Sequence, residues 1–84
     1  MNPKKALTRA ISNPAGLRFS DACRLAEAFG FEHKRTSGSH HIFTHQGIPE
    51  LVNLQNVKGM AKAYQIRQLL KLVERYNLQL EEGD

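Results

Sequence analysis

The sequence has one cysteine, Cys23, no tryptophan, and no apolar run long enough to cross a bilayer. A single cysteine excludes an internal disulfide, and the helical spacing of Ala22, Leu25 and Ala26 around it predicts a small buried residue. No neighbouring groups mark Cys23 as a catalytic thiol. Because no secretory signal is recognised, we expect a protein of the reducing cytoplasm that makes no membrane contact.

Acidic residues are also scarce relative to basic ones. Asp and Glu number 8 against 12 Lys and Arg, which gives a formal charge of +4 and a pI near 9.6. A small basic domain concentrates phosphate groups near its surface, so the charge mildly favours a polyanionic partner. The 84 residues suffice for one domain, whose core is too small for an elaborate cofactor pocket. We therefore expect no cofactor.

Apolar residues at helical spacing predict three helices. The first runs from Pro3 to Ser12 and is broken by the NPAG stretch that follows. The second begins at an N-cap, Ser20 or Asp21, and ends before Gly30, where a helix end favours a positive φ. The third is a strongly amphipathic helix over residues 61–76.

Between the second and third helices the period changes to that of strands. FEHKRT (31–36), SHHIFTH (39–45) and LVNLQNV (51–57) predict three strands, with turns at Ser37-Gly38 and at QGIP. The order predicts an α+β domain in which helices cover one face of a three-stranded antiparallel sheet. The acidic segment 77–84 is expected to fray.

Three of the four histidines, His40, His41 and His45, lie within the second predicted strand. In a strand, His41 and His45 share a face but lie about 13 Å apart, too far to ligate one ion. His40 and His41 point to opposite faces. No cysteine or suitably spaced carboxylate completes a ligand set, so we expect no metal site.

The two faces of this strand give the histidines different roles. If Phe43 packs under the helices, His41 and His45 share its side and are structural, whereas His40 points outward; if Ile42 faces inward, the roles exchange. A histidine on a strand is most often only a polar surface residue, and His33 is taken as one. An outward imidazole near Lys34 and Arg35 suits phosphodiester chemistry, since it transfers protons near neutral pH and the cations stabilise charge on phosphorus.

Basic residues also recur along the last helix and before it. Arg67, Lys71 and Arg75 are spaced by four, and this ridge is equally typical of a solvated helix face. Lys58 and Lys62 flank the helix N-terminus, whose free N–H groups favour an anion. Double-stranded RNA binding domains touch phosphates with a lysine-bearing helix N-terminus on a fold of similar order.

The segment RFSDACRLAEAFGFEHKRTSGSHHIFTH resembles the N-terminal half of HicA-type toxins of bacterial toxin–antitoxin pairs. The shared features are a short helix that ends in Gly-Phe, a basic strand, and Gly-Ser-His-His with an aromatic residue two positions on. The resemblance covers about residues 18–76. Residues 1–17 then form an N-terminal helical extension, and 77–84 form the tail.

The resemblance implies a fold similar to that of the double-stranded RNA binding domain, with helix, three strands and helix in order. It implies a metal-independent endoribonuclease that cuts mRNA, with the essential histidine at His40. A HicB-type antitoxin is the implied protein partner. The candidate RNA-binding residues are those near this histidine and those at the last helix: Lys34, Arg35, Gly38, Ser39, Lys58, Lys62 and Arg67.

The sequence departs from the family pattern at the end of the third strand. Many relatives carry Pro-His or a similar polar cluster there, whereas this chain reads LVNLQNVKGMAKAYQ. The departure affects the substrate loop and the antitoxin interface, and it leaves a second acid or base unassigned. Two other functions stay open on the sequence alone: an RNA-binding module without catalysis, and a degenerate toxin that acts by binding a protein partner.

Overall fold

The computed structural model describes residues 1–81 and confirms the order of elements. A 3₁₀ turn at Pro14–Gly16 separates the first two helices. The elements are α1 (Pro3–Ser12), α2 (Phe19–Ala28), β1 (Glu32–Ser37), β2 (His40–His45), β3 (Ile48–Gln55) and α3 (Ala63–Arg75). None of the helices in this part of the chain is long and apolar enough to cross a membrane.

The strands form one antiparallel sheet in the order β1-β2-β3, with the helices against one face. Phe43 of the central strand and Leu54 of β3 are buried with Ile66 of α3 in one apolar cluster. The opposite face, which we call the open face, stays in contact with solvent, and Leu51 there is 56% exposed. This is the predicted α+β architecture, consistent with a fold like that of double-stranded RNA binding domains.

The predicted N-cap of α2 is wrong. The helix begins at Phe19, Arg18 is its N-cap, and neither Ser20 nor Asp21 caps it; Asp21 lies in the first turn and is buried. The Phe19 N–H instead donates to the Gly59 carbonyl at 2.9 Å. A backbone carbonyl from a distant loop thus satisfies the first N–H of the helix, which lies before both predicted cap residues.

Two turns lie slightly away from their predicted positions. The first hairpin turns at Gly38 and Ser39 instead of Ser37 and Gly38, and the third strand runs 48–55 instead of 51–57. The strand resumes early because Ile48 is buried and pairs with His45. The proline that follows, at position 49, is tolerated because β3 is an edge strand.

The two ends of the chain contribute to the core. Ala6 and Ala10 of α1 are at most 1% exposed and belong to the main apolar cluster, so the N-terminal extension packs as part of the domain. Contrary to the predicted fraying, Leu78 and Leu80 also pack on the cluster, and the Glu81 N–H donates to the Ala28 carbonyl at 2.8 Å. The rest of the predicted tail, residues 82–84, lies outside the described residues.

A carboxylate links the end of α3 to the sheet. Glu50 of β3 accepts hydrogen bonds from the Tyr76 hydroxyl and from the Arg75 guanidinium, both at 2.7 Å. The bond from Tyr76, and then those from the backbone and from Arg75, lower the Glu50 pKa, although partial desolvation opposes them. The same bond to Glu50 raises the Tyr76 pKa. The folded state therefore favours ionised Glu50 and neutral Tyr76.

We expect Glu50→Gln to lower the free energy of unfolding at pH 7 and to weaken its acid dependence. Because folding depresses the Glu50 pKa, this contribution is present above the unfolded value of about 4.3 and is lost as pH falls through the folded value. Urea unfolding between pH 3 and 7 measures it, with the exposed Glu74→Gln as the matched control. Equal pH profiles for both variants would contradict the expectation.

Candidate functional site

The open face carries a polar group of side chains around His40 on the central strand. Pairing places Ser37 of β1 and Gln55 of β3 opposite His40, while Arg35 and Asn53 flank the next outward residue, Ile42. We call Arg35, Ser37, His40, Asn53 and Gln55 the open-face patch. His40 is exposed, as the packing of Phe43 on the other face predicts.

The His40 ring is held by a single side chain. The Asn53 amide nitrogen lies 3.0 Å from His40 Nδ1, and the amide oxygen lies 3.3 Å from the same atom. Within residues 1–81 both hydrogen-bond contacts of the ring are to Nδ1 and none is to Nε2, and the residue is exposed. Sequence reasoning missed Asn53, because its contact with a histidine 13 positions away depends on the pairing register of β2 and β3.

A β-bulge decides which side chains of β1 join His40. The β1–β2 register shifts between His33 and Arg35, so Lys34 is the extra residue. Without the bulge, His33 and Arg35 would share a face by the two-residue period. With it, Arg35 pairs with the outward Ile42, whereas His33 pairs with Phe43 and contacts its ring, centroid to centroid, at 5.2 Å.

Lys34 and Arg35, which are adjacent in the sequence, have different surroundings. Lys34 forms a 3.0 Å ion pair with Glu32, both well exposed, beside a cleft that His45 and Glu81 also line. That cleft lies toward the opposite end of β2 from His40. Arg35 is a diagonal cross-strand neighbour of His40, a relation that spans about 7–8 Å. Arg35 therefore neighbours His40 on the open face, whereas Lys34 lies further from it.

His41 lies on the helix side of the sheet. Its ring centroid is 4.6 Å from that of Phe19 and 5.4 Å from that of His33. Its Nδ1–H donates to the Ser39 carbonyl, 3.2 Å away. These contacts confirm that His41 is a packing residue, and exposed His33 also takes part in this group of rings.

His45 has a structural role at the far end of β2. Its Nδ1 accepts the Gly47 N–H at 2.9 Å, and its ring packs edge-on against Phe31 with centroids 5.2 Å apart. Gly30 lies beneath this ring at φ 95°, and a Cβ there would come within 2.9 Å of His45 Nε2. The predicted positive φ of Gly30 is confirmed, and the close ring gives a second reason for glycine.

The Gly-Ser turn and the loop before α3 meet at the His40 end of the sheet. Gly38 has φ 61° with open space around it, and the Ser39 carbonyl accepts the Asn56 N–H at 3.1 Å. Beyond Asn56, Lys58 and Gly59 have φ values of 53° and 87°, the pattern of a type I′ turn. Exposed Lys58 is therefore held near the Gly-Ser turn by backbone hydrogen bonds.

The remaining predicted basic residues lie on or before α3. Lys62 is the N-cap residue, and its ammonium lies 5.9 Å from the centroid of the Tyr64 ring. Arg67 is exposed one turn further along. Of the ridge predicted on this helix, Arg75 is engaged by Glu50. Lys62 and Arg67 thus lie near the start of α3, whereas Arg75 has a structural contact at its end.

Other chemistry has little support in the described part of the chain. Residues 1–81 contain no group of three or more His, Cys, Asp or Glu side chains arranged to hold a metal ion. Cys23 is half-buried, and desolvation, followed by the charge of Glu27, raises its pKa to about 11. A thiol with this pKa is almost entirely protonated at neutral pH and is a poor nucleophile.

Comparison with known proteins identifies one family. Residues 19–74 match the family described as HicA toxin of bacterial toxin–antitoxin. The match begins at the first residue of α2 and ends near the end of α3, so it includes the whole open-face patch. No curated protein and no solved structure matches the chain.

The two adjacent histidines should differ in their effect on stability. We expect His41→Ala to lower the free energy of unfolding by about 1–2 kcal/mol, because it removes a ring contact and a hydrogen bond. His40→Ala should change it by less than about 0.5 kcal/mol, since the ring is exposed. Urea unfolding of both variants tests this, and the reverse order would contradict the assigned faces.

Proposed function

The chain belongs to the HicA toxin family, and we propose that it is an endoribonuclease that cuts mRNA without a metal ion. Toxins of this family are generally associated with ribonuclease activity. The observation that carries the proposal for this chain is the geometry of His40, an exposed imidazole with Nδ1 held by Asn53 and Nε2 open on the free face of the sheet. Nε2 is the atom that would exchange a proton with RNA.

In the proposed reaction His40 Nε2 takes the proton of an RNA 2′-hydroxyl as that oxygen attacks the adjacent phosphorus. The O2′–P bond forms, the P–O5′ bond breaks, and the leaving 5′-oxygen gains a proton from water or from the imidazolium. The products are a 2′,3′-cyclic phosphate and a 5′-hydroxyl. Imidazoles ordinarily titrate near pH ~6.5, which suits this transfer at neutral pH.

Arg35 is the cation best placed to stabilise charge on the reacting phosphate. Its guanidinium shares the open face with His40 and presents several N–H donors to phosphate oxygens. Lys34 forms an ion pair further along β1, so its contribution would be to a neighbouring phosphate.

Substrate positioning is assigned to the turn and loop at the His40 end. Gly38 leaves room for the RNA backbone, and Ser39 fixes the turn to the loop through its carbonyl. Lys58, Lys62 and Arg67 would contact phosphates flanking the cleavage site. Such contacts position nucleic acid without reading its sequence.

The toxin family implies a cognate antitoxin. We propose a HicB-type protein that covers the open face and so blocks His40. Leu51 is 56% exposed on this face beside the half-buried Ile42, and they offer apolar contact in the middle of a polar surface. Apolar centres with polar rims are typical of protein interfaces.

His40→Ala should reduce cleavage by about 10²- to 10⁴-fold, the usual contribution of a positioned proton-transfer group, and leave RNA binding intact. End-labelled RNA incubated with purified protein in EDTA measures cleavage, and a gel shift measures binding. His33→Ala, which changes an exposed histidine of the other face, is the matched control.

Each alternative function has its own result in this experiment. Undiminished cleavage by folded His40→Ala would contradict the mechanism. Intact RNA with every variant, together with salt-dependent binding, would indicate an RNA-binding module. Intact RNA without binding would indicate a protein that acts through its antitoxin or another partner.

Lys58→Asn separates a role in RNA binding from a role in folding. Asparagine tolerates positive φ better than lysine, so the free energy of unfolding should stay equal or rise by up to about 1 kcal/mol. Loss of one phosphate contact should weaken RNA binding and reduce the salt slope by about one. Lys5→Gln in α1 is the control, and an unchanged salt slope in Lys58→Asn would contradict the contact.

A further inference from the structure

His40 depends on one side chain for its orientation. Within residues 1–81 its ring is hydrogen-bonded by the Asn53 amide alone, at 3.0 Å from the amide nitrogen to Nδ1. We propose that Asn53 is the positioning residue of His40. Its amide holds the imidazole ring so that Nε2 faces the substrate whether the ring is neutral or protonated. The inference rests on the proposed function, because Nε2 is the atom assigned to proton transfer.

The sheet register fixes where this amide lies. Asn53 pairs with Ile42, which makes it the diagonal neighbour of His40 on the open face. Asn53 is half-buried in β3, whereas His40 is exposed. A half-buried residue on a strand has fewer accessible rotamers than an exposed one, so the amide is the fixed member of the pair and the imidazole adjusts to it.

An amide can serve both forms of the ring. For Nε2 to take a proton, the neutral ring must carry its own proton on Nδ1, and this Nδ1–H donates to the Asn53 amide oxygen, 3.3 Å away. The imidazolium donates through the same Nδ1–H, and rotation of the amide exchanges the oxygen with the nitrogen that lies 3.0 Å from Nδ1. A carboxylate at this position would add a negative charge that favours the imidazolium, and an alanine would hold neither form.

The charges around His40 are few, which makes a change at position 53 measurable. On the open face Arg35 projects from β1, and Lys58 lies in the loop at the same end. The outward positions of β3 carry the uncharged Leu51, Asn53 and Gln55. The helices pack against the opposite face of the sheet.

The test is an NMR titration of the His40 ring in the full chain, with RNA cleavage measured on the same samples. Asn53→Asp should raise the His40 midpoint by about one pH unit, because the carboxylate accepts Nδ1–H. Leu51→Asp adds the same charge two residues further along β3 and should move the midpoint by about 0.3 unit or less. His41 and His45 serve as internal references in each spectrum.

Steady-state kinetics of RNA cleavage distinguish a role of Asn53 in positioning the His40 ring from a role in packing the fold. Asn53→Ala should lower kcat about tenfold through misalignment of the ring while KM for RNA is unchanged. Asn53→Gln, which restores an amide, should recover part of kcat. A urea unfolding curve for each variant establishes that the fold is retained.

Different results would contradict the proposed role of Asn53 and the proposed ribonuclease activity. If Asn53→Asp moves the His40 midpoint no further than Leu51→Asp does, or if Asn53→Ala keeps the full kcat, the role of Asn53 is overturned. If the titration shifts as expected but no variant or wild-type protein cleaves RNA, the ribonuclease proposal fails and the coupling of Asn53 to His40 stands.

Discussion

The candidate site depends on the burial of Phe43 in the middle of the central strand. Side chains of a strand alternate between faces, so a Phe43 that is 1% exposed under the helices forces its odd-numbered neighbours His41 and His45 inward and His40 outward. A slip of one residue would bury Ile42 and exchange the two histidines. The cost of exposing a phenylalanine, about 2–3 kcal/mol, therefore fixes the orientation of a side chain that takes no part in the core.

Backbone hydrogen bonds then assemble distant segments at the His40 end of the sheet. The Phe19 N–H donates to the Gly59 carbonyl, and the Ala61 N–H donates to the Leu17 carbonyl. These two hydrogen bonds hold the loop before α3 against the start of α2. The Asn56 N–H donates to the Ser39 carbonyl, which holds the same loop against the Gly-Ser turn. The Asn56 side chain adds one more link by accepting the Gly59 N–H at 2.7 Å, and none of these hydrogen bonds uses the side chain of Lys58.

Local patterns predicted much of this arrangement, and non-local pairing accounts for most of the errors. The bounds of α1 and the positive φ of Gly30 follow from nearby residues, and so does the outward direction of His40. The start of α2 does not, since its first N–H is satisfied by a carbonyl 40 positions away. Nor does the separation of Lys34 from Arg35, because an alternating pattern cannot reveal a bulge. The contact of Asn53 with His40 is not predictable from local patterns either, because the register of β2 and β3 is set by the whole sheet.

In the proposed site, Asn53 orients the His40 ring and other residues supply positive charge, and this arrangement has a physical reason. A proton-transfer imidazole must change its charge easily, and a fixed anion beside it would hold it as imidazolium. An amide at Asn53 orients the ring through hydrogen bonds without adding charge. Under the proposed function, phosphate binding needs positive charge, which Arg35 would supply from the neighbouring strand and Lys58 from the adjoining loop. In this proposal the orientation of the ring comes from β3, whereas the positive charge comes from β1 and from the loop before α3.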